Sequence, residues 1–213
     1  MPKIQDIIKK YKDDLNSLCK NQQSKLELVI NTEWDKIDEN LKIIYCGDNP
    51  GKSEKKSEKY FDGIAGKEFK FFVKTHNKRL KVKSGEFIFF NKTPFYSNKT
   101  SQLTQKDDKN NLINKSINLT IDCLYQIWQV KNIPIVVFGV NERSYIVKTF
   151  KARLKDNKIY HQFLNDLTIL NHPSHNSLFA AFGKFLIENF EDKEEIKSVK
   201  YLELINNVKK NWL

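Results

Sequence analysis

Four short apolar runs, at residues 42–46, 86–91, 134–139 and 167–170, decide what this chain can become. Each is too short for a core helix, and each is stopped by glycine or a polar residue. Strands covered on both faces of a parallel sheet read this way, because neither face needs a polar side chain. Stretches with helical spacing lie between and around them. Residues 4–19 place Ile4, Ile7, Ile8, Tyr11, Leu15, Leu18 and Cys19 on one face, and residues 116–130 do the same with Ile117, Ile121, Leu124, Tyr125 and Trp128. Strands alternating with helices predict an α/β chain, a three-layer α/β/α domain around a mostly parallel four-stranded sheet.

The remaining segments fill in that frame. Residues 1–40 are expected to form an N-terminal helical segment, with Leu26 to Trp34 and Ile37 resuming the helix after the polar break Asn21-Gln22-Gln23-Ser24. Residues 52–59 are too charged to bury and read as a surface loop or a solvated helical turn. Phe69, Phe72 and Val73 mark a helix after Gly66, and a basic amphipathic helix is expected over 142–154. Residues 97–115 read as a polar loop, longer than compact domains usually carry without a job. Two more helices, over 178–190 and 193–210, close the chain. No repeat or internal linker interrupts it, so 1–213 reads as a single domain.

No apolar run approaches the roughly 18–20 residues of a membrane span, and no charged-then-apolar leader opens the chain. Cys19, Cys46 and Cys123 are isolated, without metal-ligand spacing, which fits a reducing cytoplasm and predicts neither a disulfide framework nor a metal or other cofactor. The net charge of +11 suits a polyanionic partner such as a nucleic acid. Lysine is abundant throughout, so a general compositional bias would give the same total.

Chemistry collects just beyond the carboxyl ends of parallel strands. Here those ends carry Asp48 and Asn49 in Gly47-Asp48-Asn49-Pro50-Gly51, then Asn91, then His172. Singly, each has a plain structural use: an Asp or Asn after a strand is commonly a turn or helix cap, and a His before Pro-Ser a loop residue. Jointly, parallel strands bring all three ends to one crevice.

Gly47-Asp48-Asn49-Pro50-Gly51, Tyr60-Phe61-Asp62-Gly63-Ile64-Ala65-Gly66, the strand ending at Asn91, and His172-Pro173-Ser174 together resemble the ordered motifs of the uracil-DNA glycosylase superfamily. The resemblance runs from about residue 42 to 180. The first motif is similar to the mismatch-specific and single-strand-selective branches, and the Phe61 segment is similar to the iron–sulfur branch. The family implies a four-stranded parallel sheet between helices, and an enzyme of base excision repair that flips a damaged base out of DNA and hydrolyses its N-glycosidic bond.

By that resemblance, Asp48 and Asn49 stand where different branches carry the residue that orients the attacking water. Asp48 is slightly favoured for electrostatics, with Asn49 as an orienting amide. Asn91 would read the uracil edge, since a carboxamide offers an acceptor to N3–H and a donor to O4. Phe61 would stack on the flipped base, Gly47 would join it in the base-binding pocket, and His172 would hydrogen-bond uracil O2 as charge develops there. Pro50, Gly51, Ser174 and Ser177 would contact DNA, and His175 and Asn176 stand where relatives carry a wedge residue.

Two departures bear on this. The chain lacks the four cysteines of the iron–sulfur branch, so no cluster is expected. Gly51 replaces the bulky tyrosine by which the most uracil-strict branch excludes thymine. The resemblance implies a monofunctional, metal-independent hydrolase that acts as a monomer on DNA. The alternatives are a catalytically weak member that binds damaged or single-stranded DNA without turnover, and a hydrolase of nucleotides or nucleosides, against which the absence of a glycine-rich phosphate loop counts.

Overall fold

The computed structural model describes residues 2–20, 25–63, 66, 83, 85–139 and 143–170. The helix expected around Phe69, the loop 171–177 and the two helices expected after it lie outside the described residues. In chain order the elements are α1 (Ile4–Lys20), β1 (Ile43–Gly47), α2 (Lys52–Ser57), β2 (Phe87–Asn91), α3 (Leu112–Lys131), β3 (Ile135–Phe138), α4 (Tyr145–Asp156), α5 (His161–Asp166) and β4 (Thr168–Leu170).

All four strands pair in parallel, in the order β2-β1-β3-β4, with helices flanking the sheet as the alternating pattern requires. β1 and β3 are central, and every one of their residues is buried. The register sets Gly47 beside Asn91 and Cys46 beside Val137. The carboxyl ends of β1, β2 and β3 therefore share one edge. One continuous hydrophobic core runs from Ile4 to Leu170.

The sheet presents two different faces. On one, Phe90 packs against Tyr11 of α1 and stacks on Trp34. The Tyr11 hydroxyl meets Thr120 Oγ1 at 2.7 Å, tying α1 to α3, and α4 packs on α3. The other face carries an aromatic row in which Tyr45 contacts Phe87, Phe89 and Phe138. No described helix is long and apolar enough to cross a membrane.

Residues 26–37 depart from the expected helix. Residues 26–31 run extended, with Val29 N–H donating to Pro94 O and Tyr96 N–H to Glu27 O around a Leu28–Phe95 antiparallel bridge. Only a short 3-10 turn, Thr32–Lys36, follows, capped by Asn31. Backbone pairing with the chain after β2 overrides the helical spacing. The buried Asn31 also donates to Phe89 O, as does the Trp34 indole, which pins the segment to the edge strand.

The polar stretch 97–115 is also more structured than a loop. It contains 3-10 turns at Thr100–Gln102 and Lys109–Asn111, and α3 starts at Leu112 rather than Ser116. Asp108 makes that earlier start possible, because its carboxylate accepts the N–H groups of Ile113 and Asn114. At α4 the cap is Ser144, so the helix begins at Tyr145.

Candidate active site

At the shared edge, backbone pairing continues past the strands. Lys92 N–H donates to Gly47 O at 2.9 Å and Thr93 N–H to Asp48 O at 3.2 Å. Asp48 is thereby set on a rigid backbone, and it sits against a residue that sequence reasoning passed over. Lys92 Nζ donates to Asp48 Oδ1 at 2.6 Å, with the lysine side chain fully buried and the aspartate side chain 11% exposed. The same ammonium donates to Phe138 O at the end of β3 and lies 5.7 Å from the centre of the Phe150 ring on α4. Three strand ends thus meet at one buried ion pair.

Gly139 completes the contact. Its φ is +87°, and a Cβ there would lie 2.4 Å from Asp48 Oδ1, so both the backbone and the space call for glycine. Asp48 Oδ2 accepts no hydrogen bond from the described residues, and the side chain as a whole keeps a small exposure to solvent. A buried carboxylate is costly unless a counter-charge and hydrogen bonds accompany it, and Lys92 supplies both to Oδ1.

Asn91, Phe61 and Gly47 form a second group next to the first. A Cβ on Gly47 would lie 2.5 Å from Phe61 Cζ and 2.7 Å from Asn91 Oδ1, so the ring and the carboxamide converge over this glycine. Asn91 is 2% exposed, yet its Nδ2 has no hydrogen-bond partner among the described residues. A buried donor without an acceptor costs about 1–3 kcal/mol, and native structures keep few of them.

Phe61 is held with equal care. It has a left-handed φ of +57°, uncommon for a bulky residue, and its ring packs on Phe89 with centroids 4.9 Å apart. Glu54 fixes this conformation. One carboxylate oxygen accepts Phe61 N–H and the other accepts Gly51 N–H, each at 2.6 Å. Gly66 must be glycine as well, because a Cβ there would come within 1.9 Å of Phe61 O. Burial raises the Glu54 pKa above its ordinary value, with the two N–H donors pulling it back and Asp62 adding to the rise. Glu54 lies in the stretch that reads as solvated, and nothing in that run of lysines, serines and glutamates marks it out.

Asn49 is committed to the chain itself. Its Nδ2 donates to Pro50 O and to Ser97 Oγ, each at 3.0 Å, and its Oδ1 accepts the Thr100 hydroxyl at 2.7 Å. Its amide therefore stitches the Asp48 loop to residues 97–100. Pro50 is buried, and Gly51 is half-buried at the start of α2. Cys46 is fully buried, and that burial pushes its thiol up to about 12, against the pull of Lys92. His172, Ser174, His175, Asn176 and Ser177 lie outside the described residues; β4, which leads toward them, ends at Leu170 beside Gly139.

The described part of the crevice thus combines a carboxylate with one free oxygen, a buried amide donor and an aromatic ring. Such a set can orient a water and read the edge and face of a planar polar heterocycle. Among the described residues no cluster of three His, Cys, Asp or Glu side chains could hold a metal ion. No family model matches the chain, and no curated protein is significantly similar to it.

Proposed function

We propose that this protein is a monofunctional uracil-DNA glycosylase-type hydrolase, releasing uracil or a related damaged base from DNA and leaving an abasic site. The observation that carries the reading is the buried, unpartnered Nδ2 of Asn91, set beside the Phe61 ring and the Asp48 carboxylate at the carboxyl edge of a parallel sheet. Uracil O4 is an acceptor that this donor lacks, and N3–H suits the carboxamide oxygen. Stacking of the base on Phe61 is worth roughly 1–3 kcal/mol.

Asp48 takes the water-orienting role through Oδ2. Departure of the base makes the sugar cation-like, and a nearby carboxylate stabilises that charge while holding the water that attacks C1′. Asn49 serves by holding the loop, its amide being occupied at both ends. His172 is assigned to uracil O2 on the resemblance of its motif.

Oligonucleotides carrying U·G, U·A or single-stranded U, incubated with the protein and then treated with alkali, test this reading. Strand breaks at the uracil position are expected. Asp48→Ala should abolish them while DNA affinity stays within a few-fold, and Asn91→Asp should shift preference away from uracil. A second reading, binding of damaged or single-stranded DNA without turnover, is favoured by one observation: Asp48 Oδ1 is already neutralised by Lys92. DNA binding with no alkali-dependent product on any of the three substrates would select it.

A further inference from the structure

We propose that Lys92 is a positioning residue for the reaction. It fixes the Asp48 carboxylate in one orientation through Oδ1 and supplies its counter-charge, leaving Oδ2 to hold the attacking water. This rests on the glycosylase reading and adds to it a residue that no motif marks.

The geometry carries the inference. Lys92 follows the base-facing Asn91 directly, so alternation along the strand sends the two side chains to opposite sides of the sheet edge. Asn91 converges with Phe61 over Gly47, whereas Lys92 passes to Asp48, Phe138 O and the Phe150 ring. Its ammonium is fully buried and bonded to both a carboxylate and a carbonyl, an arrangement suited to holding a neighbour still. Packing alone gives little reason for it, because a buried ion pair adds no more stability than well-packed apolar side chains of the same volume.

The charge matters as much as the orientation. With the lysine removed, none of the described groups would hold the Asp48 carboxylate in that orientation or balance its charge. The charged and titratable groups facing Asp48 from the described elements are Lys92, from the end of β2, and the Cys46 thiol of β1; β3 and α4 contribute only a carbonyl, a glycine and an aromatic ring.

The test is single-turnover uracil release by wild type and Lys92→Met over a range of DNA concentrations. The maximal rate should fall about tenfold or more, because the group that orients the catalytic carboxylate is gone. The concentration of DNA giving half-maximal rate should stay near that of wild type. Lys92→Gln, which keeps a donor without the charge, should show a smaller loss of the same kind and serves if the methionine variant does not fold. An unchanged maximal rate, or a loss that appears only as weaker DNA binding, would overturn the inference while leaving the glycosylase reading intact. So would a borohydride-trapped adduct to DNA that forms with wild type and not with Lys92→Met, because Lys92 would then be a nucleophile. No product from wild type at any DNA concentration would sink both readings together.

Discussion

Gly139 shows how much of this site depends on atoms that are missing. Replacing it with alanine forces an L-residue to φ +87° and drives a methyl group into the Asp48 carboxylate. A backbone conformation of that kind costs about 1–3 kcal/mol. Gly139→Ala should lower unfolding free energy by that amount in urea titration and reduce uracil release further still, as Asp48 is displaced. Glu54 gives a residue-scale prediction of opposite character. Its pKa is raised in the folded protein above the ordinary 4.5, so the native state takes up a proton at a pH where the unfolded chain remains ionised. Stability attributable to this group therefore grows as pH falls through the interval just above 4.5 and declines as pH rises through it. Urea titrations of wild type and Glu54→Gln should show their difference shifting in favour of wild type as the pH is lowered across that range. Asp48 and Asn91 were legible in the sequence because a polar residue that ends an apolar run is conspicuous. Lys92 was not, being one among 37 lysines and arginines. Its burial comes from the pairing of β1 with β2, a relation between segments more than forty residues apart.

Among the elements, α1, α3 and the four strands follow from patterns that one segment can display alone. Residues 26–37 do not. Their apolar spacing fits a helix turn by turn, but hydrogen bonds to Pro94 and from Tyr96 hold residues 26–31 extended. The distant backbone partner, not the local period, decided the conformation. The early start of α3 was hidden for a related reason, since its cap, Asp108, lies four residues before the helix and behind two asparagines of left-handed φ. The contact between α1 and α3 is open to direct measurement. Tyr11 is fully buried, its hydroxyl bonded to Thr120 and its pKa pushed well above 10 by desolvation, so it stays neutral at any working pH. Tyr11→Phe removes one buried hydrogen bond and should cost about 0.5–1.5 kcal/mol in urea unfolding. It should leave the rate of uracil release unchanged, because this contact lies on the sheet face away from Phe61.

For the molecule as a whole, the three-layer plan could be read from the order of runs and periods, and the convergence of strand ends followed from parallel pairing. The links across the edge could not. The ion pair, the Glu54 bridge and the Asn49 stitch each join segments whose proximity exists only after folding. On the proposed glycosylase reading, one consequence concerns what DNA would meet on arrival. Backbone hydrogen bonds between the two segments do not stop at Gly47 and Asn91; Lys92, Thr93 and Ser97 donate to Gly47, Asp48 and Pro50. Residues 92–97 form no strand, yet these bonds tie them to the loop that carries Asp48. Ordering a free backbone costs about 1–2 kcal/mol per residue, and that cost has been met during folding here. Amide hydrogen exchange should report it: the N–H groups of Lys92, Thr93 and Ser97 should exchange nearly as slowly as those of β1, with or without DNA. For the proposed glycosylase, binding energy would then be left for unstacking and extruding the base, the step that a preformed pocket cannot do in advance.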